Sequence, residues 1–457
     1  MLSEDRVKIF ESESIPRAIA ALSIPTVLSS LVTILYSLAD TYFVGMLNNS
    51  IQNSAVTLSA PVLLAFNAIN NLFGVGSSSM MSRALGRKDY ETARRSSAFG
   101  FYCSIFFGIM FSLLCTIFFE PLLNIIGADA TTGEATAAYL FWTVSLGAAP
   151  AILNVVMAYM VRAEGSAIHA SIGTMSGCFL NIILDPIFVL PWGLDMGAEG
   201  AGLATFISNC VAVLYFIILI LYRRKSTFVS INPKYFGLSK MIVLGVCAVG
   251  IPASIQNLLN VTGMTILNNF TSVYGSDAIA AMGIAQRINT VPTNIALGFS
   301  QGIMPLVSYN WASGNVKRMK DAIFFALKII LFSMLSVSVV FYLGAPLFVS
   351  LFMKNEIIVD YGTRFLRGFC LGIPLLTVDF LAVGVFQAVG MGSKSFMFAI
   401  LRKLILEIPL IFTLNHFFPL YGLAYCQFGS EMVMSALAVI TLRSIIRKGG
   451  GKGIERA

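Results

Sequence analysis

Stretches of about twenty consecutive apolar residues recur along almost the whole of this 457-residue chain. Each is long enough to cross a hydrocarbon layer of roughly 30 Å as an α-helix. Charged residues make up only 11% of the sequence, where a soluble protein carries about 25%. The mean hydropathy is +0.83. These features define an all-α, polytopic membrane protein. Little sequence remains for a soluble domain, so whatever the chain does takes place within or between its spans.

Hydropathy, broken at Pro, Gly and turn residues, predicts twelve spans near 16–46, 54–82, 95–119, 134–160, 167–191, 197–222, 241–271, 278–310, 320–344, 363–390, 394–416 and 420–446. The loops between them sort by sign. Arg83, Arg87, Lys88, Arg94 and Arg95 follow span 2, and Arg223, Arg224, Lys225, Lys234 and Lys240 follow span 6. Lys317, Arg318 and Lys320 follow span 8. Loops after odd spans carry mainly acids, with Lys354, Arg364 and Arg367 as exceptions. Cytoplasmic loops are enriched in Lys and Arg, so both termini are expected in the cytoplasm. The net charge of +8 is therefore a topology signal, and nucleic acid is not an expected partner; the lipid bilayer is. The polar start "MLSEDRVKIF" precedes no short apolar core with a cleavage site, and no removable signal peptide is expected. The seven cysteines fall inside spans without a CxxC pair and read as small apolar fillers. His169 and His416 lie far apart at span ends, so no metal centre is expected.

The two halves resemble each other. "SIPTVLSSL" at 23–31 pairs with "GIPASIQNL" at 250–258, "ALGRKDYETA" at 84–93 with "ASGNVKRMKDA" at 312–322, and "NIILDPIF" at 181–188 with "KLILEIPLIF" at 403–412. Order is kept throughout. The expected architecture is two pseudo-symmetric six-helix bundles, residues 1–222 and 241–457, joined by a cytoplasmic linker at 223–240. Six spans per half make this a parallel repeat, an arrangement typical of secondary transporters that expose a central cavity alternately to each side.

An acid inside a span is costly and usually faces a protein interior or a wet cavity. Asp40 and Asp185 each lie about six residues from the outer ends of spans 1 and 5, at the same depth for a rise of ~1.5 Å per residue. Tyr139 in span 4 and Thr205 in span 6 reach the same layer. Asn181 and Tyr36 stand one turn below the two acids. Two carboxylates in low dielectric cannot both stay ionised cheaply, so one takes a proton or the pair shares a cation. The layer lacks the His and Cys ligands that zinc prefers, and H⁺ or Na⁺ is the expected ion. No other cofactor is expected.

In the second bundle the corresponding layer holds Asn268, Arg287 and Glu407, and a structural Arg287–Glu407 ion pair is expected. Asp379, near mid-membrane in span 10, has no evident basic neighbour and is a candidate substrate or second cation site. Asn154 and Met157 in span 4, with Tyr36, are further candidates for contact with substrate. With 20 Met and 36 Phe, the chain is equipped for adaptable apolar walls. Such walls with a few acids favour lipophilic cations.

"ADTYFVG" in span 1, "LGRKDYETAR" after span 2, "NIILDPIF" in span 5, "GAEGAGLAT" opening span 6 and "GIAQRINTVPTNIALGFSQGIMPLVSYNWASGN" across span 8 resemble the multidrug and toxic compound extrusion (MATE) family. Within it the likeness is to the bacterial MepA/DinF-like subgroup, and it runs from about residue 15 to 446. The resemblance implies a V-shaped pair of six-helix bundles in the bacterial inner membrane that exports lipophilic cations by exchange for H⁺ or Na⁺. It also implies that the family's first-bundle cation site falls on Asp40, Asn181, Asp185 and Thr205, with Tyr139 nearby. Some members carry an acid in helix 7 where this chain has Asn260, and their helix 10 acid corresponds to Asp379. A monomeric antiporter is the expectation. The alternative is a flippase for a lipid-linked saccharide on a related fold, which calls for a large cationic cavity that these acids do not supply. An enzyme is not expected, because neither histidine has a nucleophile or metal partner.

Overall fold

A computed structural model describes residues 2–47 and 49–449. The expected cytoplasmic ends of the chain, residue 1 and residues 450–457, lie outside the described residues. Seventeen α-helices follow one another, and no strand occurs among the described residues. They are α1 (Leu2–Glu11), α2 (Ile15–Met46), α3 (Ser50–Gly86), α4 (Tyr90–Ile117), α5 (Phe119–Ile125), α6 (Gly133–Leu140), α7 (Ala148–Ala163), α8 (Ala167–Val189) and α9 (Gly197–Tyr222), then α10 (Lys240–Ser272), α11 (Ser276–Ala312), α12 (Val316–Leu343), α13 (Ala345–Ser350), α14 (Glu356–Ala388), α15 (Gly392–Ile400), α16 (Ile408–Phe417) and α17 (Gly422–Gly449). π-helical turns at Phe141–Leu146 and Leu401–Glu407 join α6 to α7 and α15 to α16.

Every predicted span coincides with one long helix or with one of the two segments interrupted by a π turn. Nine described helices are long and apolar enough to cross a membrane, and the α6–α7 pair, bent by 49°, makes a tenth. The remaining two are α11, diluted by polar residues such as Asn289, Thr290 and Asn294, and the segment 392–417, divided by its π turn. The short helices α1, α5 and α13 lie outside the predicted spans.

The chain forms two compact units. One contains the residues up to Ser12 and Leu28–Ser254, the other Glu13–Val27 and everything from Ile255 onward. Helices α2 and α10 thus each contribute to both units. In each case the first segment ends two residues beyond a proline, Pro25 in α2 and Pro252 in α10. These are the prolines of the repeated "SIP" and "GIP" motifs.

In the first unit α3, α4 and α7 pack together, and α8 lies along α9. Small residues let α8 and α9 approach closely, as is usual between helices that gain little from hydrophobicity in lipid. A Cβ on Gly177 would stand 3.1 Å from the Ser208 carbonyl oxygen and 3.2 Å from Ala212 Cβ. In the second unit α14 is the central element, packed by α11, α12 and α17. Its most apolar stretch is 78% buried, against 28–44% for the other helices that qualify as spans, so an acid on α14 is deep inside the protein. The repeated basic turns also match in detail. Lys88 (φ 60°) and Gly314 (φ 76°) adopt the left-handed conformation, and the next residues, Asp89 and Asn315, cap α4 and α12 by accepting the Thr92 and Arg318 N–H groups.

Gly177→Leu is expected to destabilise the α8–α9 contact by about 1–3 kcal/mol. The readout is a lower melting temperature of the detergent-solubilised protein. Ile183→Leu, on the exposed side of α8, is expected to leave it unchanged.

Candidate functional site

The first unit brings together the predicted polar layer and the substrate candidate Asn154 from five helices. α2 supplies Tyr36 and Asp40, α6 supplies Tyr139, α7 supplies Asn154, α8 supplies Asn181 and Asp185, and α9 supplies Thr205. Asp40, Asn154, Asn181, Asp185 and Tyr139 are all buried, Asp185 completely. Asp40 and Asp185 lie within electrostatic range of each other and of Tyr36 and Tyr139. Tyr139 packs among Val44, Ala55, Val189, Leu190, Ala198 and Ala201, which forms an apolar wall beside the acids.

Hydrogen bonds in this layer converge on Thr205. Its Oγ1 accepts from Asn181 Nδ2 at 3.3 Å and lies 3.4 Å from the Tyr36 hydroxyl. Asn209 Nδ2 donates to the Thr205 carbonyl at 2.9 Å, and Asn154 Nδ2 donates to Asn209 Oδ1 at 3.1 Å. Asn181 stands beside Asp185 but gives its amide to Thr205. The consequence is one-sided. Asp40 Oδ1, Asn181 Oδ1 and both carboxyl oxygens of Asp185 are buried without a hydrogen-bond partner. An unpaired buried acceptor costs roughly 1–3 kcal/mol, more when charged. Every leftover atom is an oxygen acceptor, a donor set that suits a proton or a small hard cation and not a soft metal. Among the described residues no group of three or more His, Cys, Asp or Glu is arranged to hold a metal ion. Met157 is fully buried in α7. His169 meets the Tyr215 hydroxyl at 3.0 Å through Nδ1.

The second unit corrects two expectations. Glu407 is held by Lys403, with Nζ 2.6 Å from Oε2 and 2.7 Å from Oε1, and not by Arg287. Lys403 is the i−4 neighbour and reaches Glu407 along its own helix, whereas Arg287 is exposed on α11. Gly263 on α10 makes room for the pair, since a Cβ there would stand 3.3 Å from Lys403 Nζ and 3.5 Å from Glu407 Oε1. Asn268 is met by Gln286, whose Nε2 donates to its Oδ1 at 3.0 Å.

Asp379, in turn, has a basic neighbour after all. Arg402, 3% exposed, places Nη1 3.2 Å from Asp379 Oδ2 and 3.7 Å from Glu431 Oε1. Its Nη2 donates to Asn260 Oδ1 at 2.5 Å, and its guanidinium lies 5.2 Å from the centre of the Phe380 ring. Asn260 therefore serves as an acceptor for an arginine. Depth and periodicity do not single out Arg402, which adjoins Lys403, or Glu431, a lone acid in α17. The usable signal is that a span containing Asp379 needs a cation at its own depth.

Two tandem helical bundles, each burying acids within apolar spans, define a multi-pass membrane transporter. The MatE family profile matches residues 25–187 and 252–413, one copy in each half. Staphylococcal relatives named "Multidrug export protein MepA" are similar over nearly the full length. The one from Staphylococcus haemolyticus (strain JCSC1435) is 34% identical over 451 residues, 97% of each chain. That from Staphylococcus aureus (strain NCTC 8325 / PS 47) is 33% identical over 452 residues, 98% of this chain and 97% of that one. The fold is also similar to a structure described as the outward-facing conformation of a multidrug resistance MATE family transporter of the MOP superfamily. That match has a TM-score of 0.91 and 27% identity, and covers 97% of this chain and 98% of that one. The chain belongs to the MATE family of membrane transporters and is not an enzyme.

Arg402→Ala is expected to cost about 3–5 kcal/mol, because it leaves two buried acids without their shared cation. Arg287→Ala is expected to change stability by less than ~0.5 kcal/mol, as for most surface positions. Thermal unfolding of the two purified variants against the parent checks the ranking.

Proposed function

We propose that this chain exports lipophilic, predominantly cationic small molecules from the bacterial cell, and that inward movement of H⁺ or Na⁺ drives the export. The relatives' role in multidrug export supports the substrate class. The observation that carries the exchange is the surplus of unpartnered acceptor oxygens on Asp40, Asp185 and Asn181. With Asn181 donating to Thr205, a bound cation is the simplest way to relieve the charge of two buried acids. Asp40 and Asp185 are the exchanging groups in this reading, and Thr205, Asn181, Tyr36 and Tyr139 shape their surroundings.

The alternating-access mechanism follows from differential binding. An ion can drive a conformational equilibrium only by as much as it prefers one state over the other. Loading the Asp40–Asp185 pair removes a buried net charge, and so favours whichever state closes that layer from water. Release restores the charge and favours the state that wets it. Both termini and the basic loops are assigned to the cytoplasm on the Lys/Arg bias, the protein to the inner membrane, and the working unit to a monomer.

Reconstituted in proteoliposomes with an imposed pH or sodium gradient, one at a time, the parent protein is expected to move ethidium against its gradient with one ion and not the other. Asp40→Asn is expected to abolish this coupled movement while remaining monodisperse. Undiminished exchange by that variant would remove Asp40 from the mechanism.

A further inference from the structure

The second unit contains a cavity of ≈ 240 Å³ lined by charged, polar and aromatic side chains. Arg402, Lys403, Glu407 and Glu431 reach it, together with Phe369 and Phe380. Asp379 lies behind Arg402. The charges around the cavity do not balance, because three acids, Asp379, Glu407 and Glu431, face only two bases. Lys403 is committed to Glu407 through both carboxyl oxygens. That leaves Arg402 to serve Asp379 and Glu431 together.

Arg402 does not serve them equally. It hydrogen-bonds Asp379 at 3.2 Å, whereas Glu431 is reached only at 3.7 Å, by the same Nη1 nitrogen and with no hydrogen bond. Glu431 is 1% exposed, and its Oε2, like Asp379 Oδ1, is buried without a partner; Asp379 keeps the Arg402 hydrogen bond through its other oxygen, and Glu431 has none. One guanidinium offsets one carboxylate, so the acid in excess is the one held less closely. Among the described residues, the charged groups that act on Glu431 are Asp379 from α14 and Arg402, Lys403 and Glu407 from the π turn 401–407. α10 and α11 contribute the uncharged Asn260 and Asn289 to the cavity, and α12 and α16, which also pack on α17, contribute no side chain to its lining. A buried carboxylate without its own counter-charge takes up a proton or binds a cation from the nearest space.

We infer that Glu431 is a cation-accepting carboxyl of the second unit, open to the cavity, and that it is occupied alternately by a proton and by the ammonium group of an amphiphilic aromatic compound. Arg402 keeps Asp379 out of this exchange. When the ammonium enters, the proton leaves Glu431 for cavity water, so charge is conserved at the site. Phe369 and Phe380 provide apolar surface for the remainder of the ligand. The choice of an organic ammonium rests on the export function proposed above; the proton-accepting role of Glu431 does not.

The test uses the solubilised full-length protein and dicyclohexylcarbodiimide, which couples to protonated carboxyls in apolar surroundings, with adducts located by peptide mass spectrometry. The expected adduct is on Glu431, with none on Asp379. One pH unit above the labelling midpoint it is expected to fall to roughly a tenth of its low-pH plateau, as the protonated fraction does, and to be suppressed by ethidium. Labelling of Asp379 in place of Glu431, or no adduct on Glu431 at low pH, would overturn the assignment. Labelling of Glu431 that ethidium leaves untouched would overturn the shared-site claim. In Asp40→Asn protein the Glu431 adduct is expected unchanged, so failure of the first-unit mechanism is read by transport and failure of this one by labelling.

Discussion

A charge removed from water must find a partner at its own depth, and the interiors of both units are arranged around places where partners run short. In soluble proteins such an imbalance is relieved by water at the surface. Within a membrane span the alternatives are another side chain, a proton or a bound ion. The first unit buries Asp40 and Asp185 together, with acceptor oxygens left over. The second buries Asp379, Glu407 and Glu431 around Arg402 and Lys403. The helices that hold these groups are otherwise apolar, so the packing of each bundle fixes the acids where desolvation is most costly.

Much of this was legible in the sequence because hydropathy and periodicity report directly on spans. Twelve predicted segments correspond to the long helices, and shared depth alone brought Asp40, Tyr139, Asn181, Asp185 and Thr205 into one layer. What was not legible depends on helical phase and on neighbours far away in sequence. Arg402 and Lys403 are adjacent, yet one turns to Asp379 and Glu431 and the other to Glu407. The π turn at Leu401–Glu407 changes the winding where these residues sit, and a fixed 3.6-residue period does not anticipate it. Arg287 has the right depth to pair with Glu407 but points outward. Depth can be counted from a span's end; direction cannot.

The short helices were missed for a different reason. α5 and α13 have seven and six residues, too few for an amphipathic period to stand out. α1 carries mixed charges and precedes the first apolar run. Among the described side chains, none of theirs reaches either buried layer.

The repeat makes the contrast between the two units chemically specific. Asp185 and Glu407 occupy related places in "NIILDPIF" and "KLILEIPLIF", and the residue one turn before each acid is Asn181 in the first motif and Lys403 in the second. An amide at that position can donate elsewhere, as Asn181 does to Thr205, and leaves the acid in need of a cation. An ammonium at the same position neutralises the acid permanently within its own helix. Near the place related to Asp40 the second unit has Asn268, which carries no charge and is met by Gln286. Two exchanges, Asp for Asn and Asn for Lys, therefore separate a layer that must borrow a positive charge from one that supplies its own. The second unit's remaining excess acid is on α17, at Glu431, in the helix whose repeat counterpart α9 carries the uncharged Thr205 in the first unit. Duplication of a six-helix bundle thus preserves the scaffold and its acid-bearing proline motif, while the charge of one neighbouring side chain decides whether the acid is paired within its own helix.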